Sequence, residues 1–166
     1  MSDILSAPSA PSPSLTPVMT VTDLSRFLDR AFPVEARAYL GDLVSIDPGQ
    51  VRMRLYPKEE LLRPGAIVSG PAQMGLIDVA AYAAVLAHLG PEPMAVTHNL
   101  NVTFLRQAVR ETIVADAVLL RLGRRLASVD VRLWQGSEDR LIAQATVGYA
   151  LPGKAAEKGT EKGGAA

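Results

Sequence analysis

Apolar residues along this chain repeat with two different periods. Between Pro71 and Leu89 small and apolar residues occupy every side of a helical wheel, interrupted by Gln73, Asp78 and His88. Pro suits the first turn of a helix, and the Gly90-Pro91 that follows is a common stop. A single long helix is therefore expected, apolar all round and so buried on all sides. After it the period drops to two. Ala127, Val129, Val131 and Leu133 alternate with Ser128, Asp130 and Arg132, the pattern of a half-buried antiparallel strand. Strands are predicted over 95–106, 112–122, 125–135 and 140–150, with Gly123-Arg124 and Gly136-Ser137-Glu138-Asp139 as turns. Ahead of the helix, 36–47 and 50–56 look like two strands joined by Asp47-Pro48-Gly49. A short helix holding Leu24, Phe27 and Leu28 opens the block, capped by Thr22 or Asp23 and ended by Pro33. With one long helix to cover about six strands, the expected class is α+β, an antiparallel sheet wrapped around a central helix. The block spans 19–151. Residues 1–18 (Ser, Pro and Ala) and 152–166 (Gly, Ala, Lys and Glu) have little to bury and read as a disordered arm and tail.

A membrane span is the rival reading of the helix, since its length is close to that needed to cross a bilayer. Asp78 near its middle would cost ~2.5–3.5 kcal/mol there, and the amphipathic strands around it favour a buried core helix. Lys+Arg and Asp+Glu balance at 17 each, so no net field would recruit nucleic acid or an anionic membrane. The absence of cysteine excludes disulfides, thiolate metal sites and a cysteine nucleophile. The start of the chain has neither a cationic segment nor a long apolar run, so a cytoplasmic location is the expectation.

Asp78 is the residue that demands chemistry. Its helical neighbours Met74, Gly75, Ala81 and Tyr82 offer it no polar face. Burial of a carboxylate is costly unless it is bonded, and such groups concentrate at functional sites. Ser69-Gly70-Pro71 is the second feature. Free N–H groups of a first helical turn bind anions, Gly lets a ligand come close, and a thioester carbonyl becoming an oxyanion is a suitable guest. Gly70 and Asp78 stand eight residues apart, about 12 Å along a helix. One chain cannot bring both to one carbonyl. Two antiparallel helices related by a two-fold near Met74 and Gly75 can, which makes the expected active unit at least a dimer with two shared sites.

From Arg63 to Tyr149 the chain resembles hotdog-fold thioesterases of the phenylacetic-acid-degradation and 4-hydroxybenzoyl-CoA type. The residues that carry the resemblance are Ser69-Gly70-Pro71, Asp78, the stretch Asn101-Val102-Thr103-Phe104-Leu105-Arg106-Gln107, and Gly123-Arg124-Arg125, in the family's order and spacing. The resemblance implies a hotdog fold and hydrolysis of an acyl-CoA thioester, with no metal or cofactor beyond the coenzyme A of the substrate. It implies Asp78 as nucleophile or general base, Gly70 N–H as the carbonyl donor, and Thr97 as the residue orienting water. It also implies a homo-oligomer, a dimer or a dimer of dimers. Four positions depart from the family pattern. Ser69 replaces its His, Pro71 its second Gly, Arg63 its bend Asn or Gln, and Gln107 its strand-ending Pro.

Further candidates follow from chemistry. Arg63 and Ser69 border the helix start as substrate-binding residues, and Arg63 suits a carboxylated or phosphate-bearing ligand. Arg124 and Arg125 suit the CoA phosphates, with a solvated turn as the alternative. Tyr82, one turn after Asp78, is a candidate to line the acyl tunnel, with core packing as the alternative. His98 should face away from Thr97, and His88 in the last turn suits the helix dipole as a cation. The missing His and Asn motivate an alternative, a non-catalytic acyl-CoA or lipid-binding hotdog protein.

Overall fold

In a computed structural model of the chain, residues 15–37 and 39–152 are described. Helix α1 spans Val21–Ala31 and α2 Val34–Arg37; strands β1 (Asp42–Asp47) and β2 (Gln50–Leu55) follow. The short strands β3 (Leu62–Arg63) and β4 (Ile67–Val68) lead into α3 (Gly70–Leu89), then β5 (Val96–Phe104), β6 (Ile113–Leu122), β7 (Leu126–Trp134) and β8 (Leu141–Ala150). Six strands form one antiparallel sheet in the order β1-β2-β6-β7-β8-β5. This sheet curls around α3, the hotdog arrangement.

The inward face is built from alternation. Ala115, Ala117 and Leu119 of β6, Val129, Val131 and Leu133 of β7, and Ala143, Ala145 and Val147 of β8 are buried against the helix. On the helix side, Ala80, Ala81, Ala83, Ala84 and Ala87 are fully buried. Alanines on both layers let helix and sheet approach closely, which is how so few residues close a dense core. Register shifts in β1, β5, β6 and at the end of β7 add the local twist that curls the sheet.

Three local expectations are corrected. The cap of α1 is Thr20, whose side chain accepts from Asp23 N, so the helix begins one residue before Thr22. Residues 36–37 and 39–41 are not strand: α2 occupies Val34–Arg37, and the strand starts only at Asp42. Gly41 makes that bend, at φ +80, where an added Cβ would lie 2.7 Å from Arg54 O. Arg37 secures it by donating to Gly41 O and to Asp29. His88 serves as an acceptor rather than a cation. Its Nε2 accepts from Gly49 N at 2.8 Å while Nδ1 stands 2.8 Å from Ala84 O, which assigns the neutral Nδ1–H tautomer. The end of α3 is thereby tied to the β1–β2 turn. Leu15 O accepts from Gly49 N and Val18 N donates to Ala87 O, so residues 15–18, read as part of the arm, run along this same end. The rest of the arm, and all of the tail but Pro152, lie outside the described residues.

Gln135, fully buried at the end of β7, latches the β5–β6 connection. It accepts from Val109 N and donates to Val109 O and Glu111 O. Losing such a buried bond typically costs about 1–3 kcal/mol when the partner stays unpaired.

Candidate active site

Asp78 projects from the middle of α3 towards β5 and β8, and its carboxylate is held by two donors on one oxygen. Thr97 Oγ1 donates to Oδ1 at 2.8 Å and Tyr149 Oη donates to the same atom at 2.7 Å. The Tyr149 hydroxyl also reaches Asp78 O at 3.0 Å. The sheet register explains the pairing. Thr97 sits opposite Tyr149, in turn opposite Ala127, so both hydroxyls rise from adjacent strands at one level of the helix. Oδ2 takes no hydrogen bond from the described residues, leaving one oxygen fixed and the other open. His98 is on the outer face, its ring against Gly148, as the alternation predicts.

Behind Tyr149 lies an aromatic stack. Tyr82 packs on it at 5.8 Å between ring centroids, and Phe32 meets Tyr82 edge-on at 6.3 Å. Burial, and then the nearby Asp78 charge, push the Tyr149 phenol well above its usual range, so it stays protonated and remains a donor. Burial likewise raises Tyr82, with Glu92 adding to the effect. Tyr82 therefore backs the residue that holds Asp78, with its ring largely buried.

The helix start forms a second centre. Ser69 caps α3 by accepting from Ala72 N at 3.3 Å, and Gly70 is the first helical residue. Among the described residues no acceptor takes the Gly70 N–H. The Phe104 ring lies beside Gly70, with Cζ 3.4 Å from where a Cβ would be. In front of Gly70 opens a cavity of about 510 Å³, lined in part by Arg63, Gln73, Phe104, Arg106 and Gln107.

The chain thus gathers its candidates into two groups. Asp78, Thr97 and Tyr82 meet around Tyr149, while Arg63 and Gly70 line the cavity and Ser69 precedes Gly70 as the helix cap. Arg124 and Arg125, exposed in the β6–β7 turn, belong to the Asp78 end of the sheet, because Leu126 registers with Ala150 and Ala150 with Val96. Within one chain they do not reach the cavity. Tyr149 is the member that sequence reasoning missed, since it reads as one more inward residue of β8. Its signal is chemical: a buried Tyr hydroxyl needs a partner, and few polar side chains point inward here.

The fold agrees with the comparisons. Residues 65–142 match the family model described as the thioesterase superfamily. A solved structure of a candidate thioesterase from Silicibacter sp. TM1040 is 35% identical, with 84% of this chain and 96% of that one covered and a TM-score of 0.75. A candidate thioesterase of Ralstonia eutropha JMP134, described as phenylacetic acid degradation-related, is 30% identical over 77% of this chain and 98% of its own, with a TM-score of 0.67. A candidate esterase of Thermoplasma acidophilum is 29% identical over 92 residues, 55% of this chain and 69% of that protein. The chain belongs to the thioesterase superfamily, and thioester hydrolysis is the general activity that this membership supports.

Proposed function

We propose that the protein hydrolyses an acyl-CoA thioester at a site shared by two copies of the chain. The observation that carries this reading is the Asp78 carboxylate, anchored through Oδ1 in an apolar helix with Oδ2 left open. The thioester carbonyl oxygen accepts from Gly70 N–H, where the positive end of α3 favours the charge that develops on it. Asp78 of the second copy attacks the carbonyl carbon or takes a proton from the attacking water. The C–S bond then breaks, the thiol leaves with a proton, and one water is consumed per acid and CoA released.

Sharing follows from distance. Gly70 and Asp78 of one chain are separated by about 12 Å of helix, but antiparallel helices crossing near Met74 and Gly75 superpose one on the other. The surface supports such a crossing. Met74 is 38% exposed, and an added Cβ at Gly75 would meet nothing within 4 Å. Beside them β5 is an unpaired sheet edge with Val96 and Phe104 exposed. The same dimer brings Arg124 and Arg125 of one copy to the Gly70 end of the other, where the CoA phosphates would be held.

Thr97 and Tyr149 act as positioning residues, fixing which carboxylate oxygen faces the carbonyl. Tyr149→Phe keeps the ring stack on Tyr82 and removes one donor. Steady-state kinetics on that variant should show kcat down roughly ten- to hundred-fold with KM nearly unchanged. A rise in KM alone would remove Tyr149 from this role. The general test is thiol release across short, long and aryl acyl-CoAs. Turnover of at least one class is the expected result, whereas tight binding with no release from any would favour the non-catalytic reading, which Ser69 and Arg63 motivate.

A further inference from the structure

The strand that carries Thr97 exchanges its two faces midway. Along β5, Leu100 and Val102 register with the buried Val147 and Ala145 and pack on the core. Strict alternation backwards from them would turn His98 inward and Thr97 outward. The structure has the reverse, because the register shifts between Thr97 and Asn99. Thr97 stands opposite Tyr149 and Asn99 opposite Gly148, so His98 is the extra residue of a β-bulge. His98 and Asn99 are both exposed on the outer face. Thr97 is thereby turned to Asp78, to which its Oγ1 donates at 2.8 Å. Without the bulge the hydroxyl would point away from the carboxylate.

We propose that His98 is a positioning residue, whose ring seated on Gly148 fixes the bulge and so keeps Thr97 Oγ1 on Asp78. The role of Thr97 itself rests on the reading given under Proposed function. A bulge is one spare residue, and the same strand could carry it one step earlier. In that placement His98 would stand opposite Tyr149 and face Asp78, while Thr97 would turn outward. Gly148 decides between the two. The three atoms nearest to a Cβ added there all belong to the His98 ring, at 2.6, 2.9 and 3.2 Å. The ring therefore fills space that a side chain at 148 would need, and Gly148 is buried although it lies on the outer face. Gly148 does not have a positive φ, so its missing side chain serves this close approach and not a special backbone conformation. The His98 ring makes no hydrogen bond among the described residues, so it acts by shape.

The test is a double-mutant cycle in steady-state kinetics on the full chain, with an acyl-CoA that the wild type turns over. His98→Ala should lower kcat roughly three- to tenfold with KM nearly unchanged. In a Thr97→Val background the same change should cost nothing further, because its effect passes through the Thr97 hydroxyl. His98→Phe, which keeps a flat ring over Gly148, should retain wild-type kcat. Wild-type kcat in His98→Ala overturns the proposal. An equal fall in both backgrounds does so too, since it would mark a residue that acts on the fold at large. If Thr97→Val alone leaves kcat unchanged, or if no thioester is turned over, the catalytic reading fails and a crystal structure of His98→Ala decides the positioning separately. Thr97 Oγ1 should then stand beyond hydrogen-bond distance from Asp78 Oδ1, and an unaltered 2.8 Å contact refutes the role of His98.

Discussion

Replacing Asp78 with Asn is expected to lower thiol release from acyl-CoAs by roughly three orders of magnitude or more, the scale on which a general base or nucleophile acts. The substitution is informative because so little else changes. The amide oxygen of Asn can still accept from Thr97 and Tyr149 as Oδ1 does, so the side chain should stay where it is. What changes is the open oxygen, which becomes an NH2 group that can neither take a proton from water nor attack a carbonyl. Melting temperature and oligomeric state should therefore match the wild type while turnover disappears. Activity retained by this variant would mean that the carboxylate is structural, and that the two hydroxyls merely satisfy a buried acid.

Much of this arrangement can be read in the sequence because the fold separates its periods cleanly. A helix apolar on every side can only be engulfed, and strands with strict alternation can only be its wrapping. The predicted strand 140–150 became Leu141–Ala150, and 112–122 became Ile113–Leu122. The failure before Asp42 has a different cause. There Arg37 and Gly41 shape a bend through side-chain and backbone bonds that no period records. The same distinction runs through the site. Asp78 and Gly70 stand out locally, one as a charge among apolar residues and the other as Gly before Pro at a helix start. Tyr149 and His98 acquire meaning only from three-dimensional neighbours. Tyr149 needs the β5–β8 register to meet Asp78, and His98 needs the shift in that register and the bare backbone of Gly148.

The departures from the family pattern can now be weighed against geometry. Ser69, in place of the family His, is engaged as the helix cap, so the position contributes to the start of α3 through its hydroxyl. Pro71 removes a donor at the second helical position, while Gly70, which lines the cavity, keeps its N–H. Arg63 lines that cavity, and under the proposed function its charge would add to the helix end in attracting an anionic portion of the substrate.

The shared site makes the second large prediction, and it is one that a single-chain site would not produce. Gly70→Pro removes the proposed oxyanion donor, and it places a Pro in the helix directly before Pro71, where the helical conformation is disfavoured. Pro is favoured at the first helical position, and Ser69, at φ −66 and ψ 154, already has the extended conformation that a following Pro requires. Loss of one such donor should lower kcat roughly a hundred- to a thousand-fold. Gly70→Pro and Asp78→Asn are each expected to be nearly inactive as homodimers, since every site in them lacks one group. Mixed in equal amounts and allowed to exchange subunits, they should form heterodimers in about half of the population. Each heterodimer has one site lacking both groups and one intact site, made of Gly70 from the Asp78→Asn chain and Asp78 from the Gly70→Pro chain. Activity should return to about a quarter of wild type by this symmetry. Were Gly70 and Asp78 to act within one chain, exchange would restore nothing, because no subunit in the mixture carries both. A mixture that exchanges fully and stays inactive would therefore refute the two-chain site even if each single variant behaves as predicted.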